Sequence, residues 1–184
     1  MVLLHVPELP ALEADDQWKK AALLLRTKWQ KAPDDLGLLL RLISECWYVL
    51  SLWDCCIPER EKDEALFASA LREGMDYGDA RFLQNSDYLL LTGYCLAIRP
   101  DLFVRDPLGR DYEKIEAEGH ARVKRATELA PESPVAQVLY SGFVNDWAAY
   151  RLVQQRNAAQ LLALPWGDSA VERYFLEILT RDIG

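Results

Sequence analysis

Two histidines, two methionines and four cysteines are all that this 184-residue chain offers for imidazole or sulfur chemistry. A zinc site takes about four N, S or O ligands at set spacings. Neither His5 nor His120 belongs to a His-x3-His pair and no Cys-x2-Cys occurs, so no metal site and no cofactor are expected. His120 stands between Glu116 and Lys124 on a polar helical stretch, where a solvated imidazole is the ordinary reading. Basic charge is also short: 21 Lys and Arg face 29 Asp and Glu, for a net charge of −8. A nucleic-acid binder needs a basic footprint, and an acidic surface is repelled by anionic lipid, so both partner classes are excluded. The longest apolar stretch, Leu42 to Trp53, is interrupted by Glu45 and falls short of the ~18 residues that a spanning helix needs.

Recognisable catalytic patterns are missing as well. There is no Gly-x-x-x-x-Gly-Lys, Gly-x-Gly-x-x-Gly or Gly-x-Ser-x-Gly, so neither a phosphate-cradling loop nor a nucleophile elbow is supported. The Asp101–Asp111 stretch fails as a calcium loop, because Phe103 and Arg105 stand where oxygen ligands belong. The carboxylate pairs Asp15-Asp16 and Asp34-Asp35 fall at helix starts, where they read as caps rather than catalytic acids. A cysteine nucleophile needs a general base, and only the fold would bring His120 to Cys95. A non-enzyme is expected.

The cysteines read as reduced and buried. Cys46 lies in an apolar helical run, where it acts as a small hydrophobe, and the adjacent Cys55 and Cys56 are awkwardly placed to pair with each other. Reduced thiols fit the cytosol. The opening Met1-Val2-Leu3-Leu4-His5-Val6-Pro7-Glu8 has no basic leader and too short an apolar run for a signal peptide, so a cytoplasmic location is expected.

What is present is apolar content, 51% of residues, arranged at helical spacing from end to end. Strand alternation and Asn-Gly or Asp-Gly hairpins are absent. Trp18, Ala21, Ala22, Leu25 and Trp29 form one stripe of a helix over 16–32, stopped by Pro33. Leu36, Leu39, Leu40, Ile43, Cys46, Trp47, Leu50 and Trp53 form that of a second, 35–54. Leu38, Leu42 and Val49 make this second helix apolar all round, hence central. Pro58 is expected to open a third helix, Gly78 to break it, and Asp79 to cap a fourth over 80–98. The 101–110 stretch is the longest loop. Asp111 caps a fifth helix, and Ser133-Pro134 starts a sixth whose pattern runs through Asp146 and either continues to Leu164 or bends near Asn157. Ser169 and Glu172, at capping-box spacing, open the last.

The expected fold is therefore all-α, with about seven helices and no sheet, in one domain over 1–184 with 1–14 as an N-terminal extension. The junctions Lys31-Ala32-Pro33-Asp34-Asp35 and Leu129-Ala130-Pro131-Glu132-Ser133, with Ala126 upstream of the second, resemble the close of one tetratricopeptide repeat and the opening of the next. That resemblance implies a degenerate stack of antiparallel helical hairpins. The intervening junction expected at Met75-Asp76-Tyr77-Gly78-Asp79 has no Pro and does not divide the spacing evenly.

Function then rests on polar and aromatic residues along the helices that would line a concave face, 35–54, 80–98 and 134–150. They supply Trp53, Asp54, Asn85, Asp87, Tyr88, Asn145, Asp146 and Trp147 as candidate partner-binding residues. Asp87 and Asp146 are read as equivalent positions, each either internally paired or lining an acidic groove. The segments Phe67–Gly78, Asn85-Ser-Asp-Tyr-Leu, Gly93-Tyr94 and Arg99-Pro-Asp-Leu-Phe103 resemble small all-helical bacterial immunity proteins. The resemblance implies a protein-binding module that neutralises a basic toxin domain. The alternative is a tetratricopeptide-type secretion chaperone or scaffold adaptor that binds a peptide segment. A far-UV circular dichroism spectrum dominated by helix is expected, with chelators and mild reductants leaving the melting temperature unchanged; substantial strand signal would overturn the fold class.

Overall fold

The computed structural model describes residues 3–106, 108–109, 111–144 and 146–181. Among these the chain is all-helical, with no strand, and no helix is long and apolar enough to cross a membrane. The chain forms two compact units. An N-terminal unit comprises residues 3–81 with 167–172, and a C-terminal unit comprises the described residues of 82–166 with 173–181.

In the N-terminal unit, the segment expected as an extension contains a short helix, α1 (Leu9–Ala14). It is followed by α2 (Trp18–Lys31), α3 (Leu36–Ser51), a 3-10 turn at Glu59–Glu61, and α4 (Glu64–Arg81). The expected stripe of α2 is the buried one: Trp18, Ala21, Ala22, Leu25 and Trp29 are all inside. Lys28 and Lys31 in its last turn suit the negative end of the helix dipole. Asp35 starts α3 by accepting the Leu38 amide at 3.1 Å. Residues 39–47 of α3 are buried on every side, as a helix apolar all round requires. It packs against both α2 and α4.

Two boundaries differ from the sequence expectation. Asp63, not Pro58, starts α4, its Oδ1 accepting the Leu66 amide at 3.0 Å. Nor does Gly78 break that helix. It is buried inside α4, where packing outweighs the roughly 1 kcal/mol propensity penalty of a helical glycine. The real junction follows at Phe82–Asn85.

The C-terminal unit holds α5 (Ser86–Ile98), a 3-10 turn at Pro100–Phe103, α6 (Tyr112–Leu129), α7 (Pro134–Val144) and α8 (Trp147–Leu162). The last helix, α9 (Ala170–Thr180), has its first turn counted with the N-terminal unit. The sixth helix does not run on through Asp146 as expected: Asp146 is extended and caps α8 by accepting the Ala149 amide at 2.9 Å. Ser133 and Ser169 do cap as read, accepting the Ala136 and Glu172 amides at 3.3 and 3.2 Å.

Three helix junctions share one geometry. Ala32 and Ala130 close α2 and α6 with nearly identical dihedrals, φ −138°, ψ 66° and φ −135°, ψ 66°. At each, the amide of the next helix's cap returns to the closing carbonyl: Asp35 to Ala32 and Ser133 to Ala130, both at 3.0 Å. Asn85 returns to Phe82 in the same way at 2.9 Å, with no proline involved. The caps Asp35, Asn85 and Ser133 lie 50 and 48 residues apart, so the middle junction does divide the interval evenly once it is placed at 82–85. Each capped helix packs on the one after it: α3 on α4, α5 on α6, and α7 on α8.

Glycines let α5 and α6 approach closely. A Cβ on Gly119 would stand 2.5 Å from the Ala97 nitrogen and 2.8 Å from the Gly93 carbonyl oxygen, both backbone atoms that cannot turn aside. Gly119→Ala is therefore expected to destabilise by about 1–3 kcal/mol through overpacking, although helix propensity alone predicts a gain of about 1 kcal/mol. Urea titration should show a lower midpoint at unchanged slope.

Candidate functional site: a buried charge cluster and an aromatic cleft

A charged centre lies inside the N-terminal unit that sequence reading did not identify. Arg41 on α3 has no exposed atoms, and its Nη2 meets Glu13 Oε1 at 2.6 Å and Glu45 Oε2 at 3.3 Å. The same nitrogen donates to Ser169 Oγ at 2.9 Å. The second Glu13 oxygen accepts the Ala170 and Val171 amides, so it serves the unpaired donors at the start of α9 from outside that helix. Glu172 Oε1 accepts the Gly167 amide at 3.0 Å, a variant of the capping box anticipated for this helix.

One guanidinium thus serves two buried carboxylates. Nε and Nη1 of Arg41 have no acceptor. Burial raises the Glu45 carboxyl to about 8, against the pull of Arg41 and with the push of Glu13 and Glu172. Burial also raises Glu13, partly offset by Arg41 and the α9 amides. At neutral pH Glu45 therefore carries a proton, and Glu13 makes the shorter contact with Arg41. A signal for this cluster was legible: Arg41 and Glu45 sit four residues apart on a helix apolar all round, where a charge must be paired.

The expected binding residues are divided by the fold. Trp53 and Asp54 belong to the N-terminal unit. Trp53 is half-buried, edge-on to Phe67 at 6.2 Å with Lys62 Nζ 6.0 Å from its ring centre, and Asp54 is exposed. The others belong to the C-terminal unit. Asn85 is the α5 cap, its Oδ1 accepting the Asp87 and Tyr88 amides at 2.9 and 3.1 Å. Tyr88, expected on the working face, is wholly buried with its ring 6.2 Å from Phe82. Asp87 is half-buried in the first turn of α5, whereas Asp146 is an exposed cap. The two are therefore not equivalent positions, because the helix through Asp146 is interrupted. Asn145 lies outside the described residues. Trp147, at the start of α8, is 60% exposed.

Among the predicted residues, Trp147 lines a recess. A cleft of about 270 Å³ is bounded by Tyr94 and Ile98 of α5, Leu139 and Phe143 of α7, Trp147 and Tyr150 of α8, and Ile178 of α9. Beyond Trp147 and Tyr150 a second hollow of about 360 Å³ is lined by Tyr174, Glu177 and Arg181. The walls are tied by polar contacts. Tyr150 donates to the Ile178 carbonyl at 3.3 Å, and buried Gln154 donates to Tyr150 Oη and to the Ile178 and Leu179 carbonyls. The Tyr94 and Tyr174 hydroxyls meet at 3.2 Å. Burial raises both phenols, which keeps them neutral. The exposed His120 ring lies 4.9 Å from Phe143. Such a cleft offers apolar contact area with hydroxyl groups at its edge, and no paired base and nucleophile.

The thiols also divide. Cys46 and Cys95 are buried as expected, but Cys55 and Cys56 are exposed, because the chain turns away from the core after α3.

The charge cluster makes stability pH-dependent with a definite sign. Glu45 ionises near 4.5 in the unfolded chain and near 8 in the fold, so folding takes up a proton between those values. Its contribution is complete below about pH 4.5 and is lost as pH rises through 8, by up to about 1.4 kcal/mol per pH unit. The melting temperature should fall from pH 5 to pH 8.5, and Glu45→Gln should flatten that fall; an unchanged slope in the variant would refute the assignment. No protein-family model, curated protein or solved structure matches this chain.

Proposed function

We propose that this chain is a non-catalytic protein-binding module, in its most specific form a bacterial immunity protein that binds and neutralises a basic toxin domain. The observation that carries the reading is the aromatic cleft around Trp147, a large indole held in solvent beside Tyr150 and Ile178. Trp and Tyr are the side chains over-used at the energetic centres of interfaces. The net charge of −8 suits a cationic partner, by steering its approach and rejecting acidic ones. Four free cysteines fit a reducing, cytoplasmic setting.

The recurrent junctions at Asp35, Asn85 and Ser133 support a degenerate stack of helical hairpins, and with it a second reading. A tetratricopeptide-type adaptor would lay the apolar face of a peptide segment into the cleft. The two readings differ in whether charge or apolar contact dominates.

Pull-down from the native cell followed by titration of the recovered partner tests both. Trp147→Ala is expected to weaken binding by about 2 kcal/mol, roughly thirtyfold, with the melting temperature unchanged because the ring is exposed. Asp146→Asn keeps a good cap and removes one charge. A slower, less salt-sensitive association in Asp146→Asn favours the toxin reading, and no change in it favours the peptide reading. Full affinity in Trp147→Ala would overturn the cleft as the working surface.

A further inference from the structure

The turn after α3 brings together two side chains that regular structure keeps apart. Adjacent residues point to opposite faces of a strand and diverge by about 100° around a helix. At Cys55 and Cys56 the backbone does neither. The Leu52 carbonyl accepts the Cys55 amide at 3.2 Å and the Cys56 amide at 3.0 Å, and the Cys55 thiol reaches it at 3.5 Å. These bonds hold both Cα atoms against one acceptor. The sulfurs are then 3.3 Å apart, with the Cys56 thiol donating to Cys55, and both side chains are exposed. That hydrogen bond, with some burial, raises the Cys56 thiol above its ordinary value, so it stays protonated and a poor target for simple alkylation at neutral pH.

The sulfur separation suits two thiolates that share one ion. With metal–sulfur bonds of about 2.3 Å, a tetrahedral angle would place the sulfurs about 3.8 Å apart. A separation of 3.3 Å corresponds to an angle near 90°, that of a pyramidal three-coordinate centre. Zinc also needs further ligands, and no group of three or more His, Cys, Asp or Glu suited to a metal occurs among the described residues. A pyramidal ion that brings its own third ligand needs only the two thiols.

We propose that Cys55 and Cys56 form a two-sulfur chelating site for trivalent arsenicals. In the binding step an arsenical carrying two hydroxyl groups condenses with the two thiols. Two As–O bonds break and two As–S bonds form, and two waters leave with the thiol protons. Arsenic remains trivalent and neither sulfur is oxidised, so no oxidant or reductant is required. The site is independent of the cleft and of any protein partner.

Phenylarsine oxide, which is such an arsenical once hydrated, is the probe. The reduced full-length chain should retain one phenylarsenic group through gel filtration under native conditions, seen by intact mass, and release it to excess 2,3-dimercaptopropanol. Cys55→Ser and Cys56→Ser should each bind roughly a hundredfold more weakly, because the second thiol then no longer acts at intramolecular concentration. Both positions are exposed, and an unchanged circular dichroism melt checks that the variants fold. Equimolar zinc should not displace the arsenical. Absence of a retained adduct, equal retention by either serine variant, or displacement by zinc would overturn the proposal.

Discussion

A guanidinium with no exposed atom has to be met by its surroundings, and meeting Arg41 organises the N-terminal unit. Its partners are Glu13, Glu45 and Ser169, the last 128 residues away in sequence. Glu13 in turn supplies the acceptor for the first amides of α9. A single buried charge therefore fixes the position of α1 against α3 and the place where α9 begins. Removing one member of a buried ion pair typically costs about 3–5 kcal/mol, far more than any surface pair in the chain. The excess of carboxylate over guanidinium is relieved by a proton on Glu45 rather than by a second cation, which links the interior to pH.

The C-terminal unit is held by close backbone approach. Gly93 and Gly119 let α5 and α6 meet at a distance that no larger residue permits. Polar ties from Tyr150 and Gln154 reach the carbonyls at the end of α9. The Tyr150 hydroxyl at the cleft and the buried Gln154 amide behind it make these bonds to main-chain carbonyls. Trp147 stands in solvent in the first turn of α8, directly after the capping Asp146.

Helix caps explain much of what sequence reading resolved and where it slipped. Asp35, Ser133 and Ser169 were recognisable because each is a short polar side chain just ahead of an apolar periodic run. Asn85 has the same character, but Gly78 and Asp79 lie upstream and offer a plausible earlier break. Local propensity ranks glycine as a breaker, whereas the buried face of α4 holds the helix intact through it. At Asp146 the opposite happened. An apolar period continuous on both sides concealed a break that the cap alone announces.

Helical periodicity by itself determined the fold class, the buried stripes of α2 and α3, and the lack of sheet, because the spacing of apolar residues depends only on the geometry of the helix they form. It also showed Trp147 beside an acidic residue. Tertiary structure alone decided which carboxylates surround Arg41, since Glu13 and Ser169 are remote in sequence and no local pattern pairs them. It alone separated Tyr88 in the core from Trp147 in solvent, because both are aromatic residues near a helix start and only the neighbouring helices distinguish them. And it turned Cys55 and Cys56 outward with their sulfurs in contact, a consequence of the turn around the Leu52 carbonyl that adjacency in the chain does not imply.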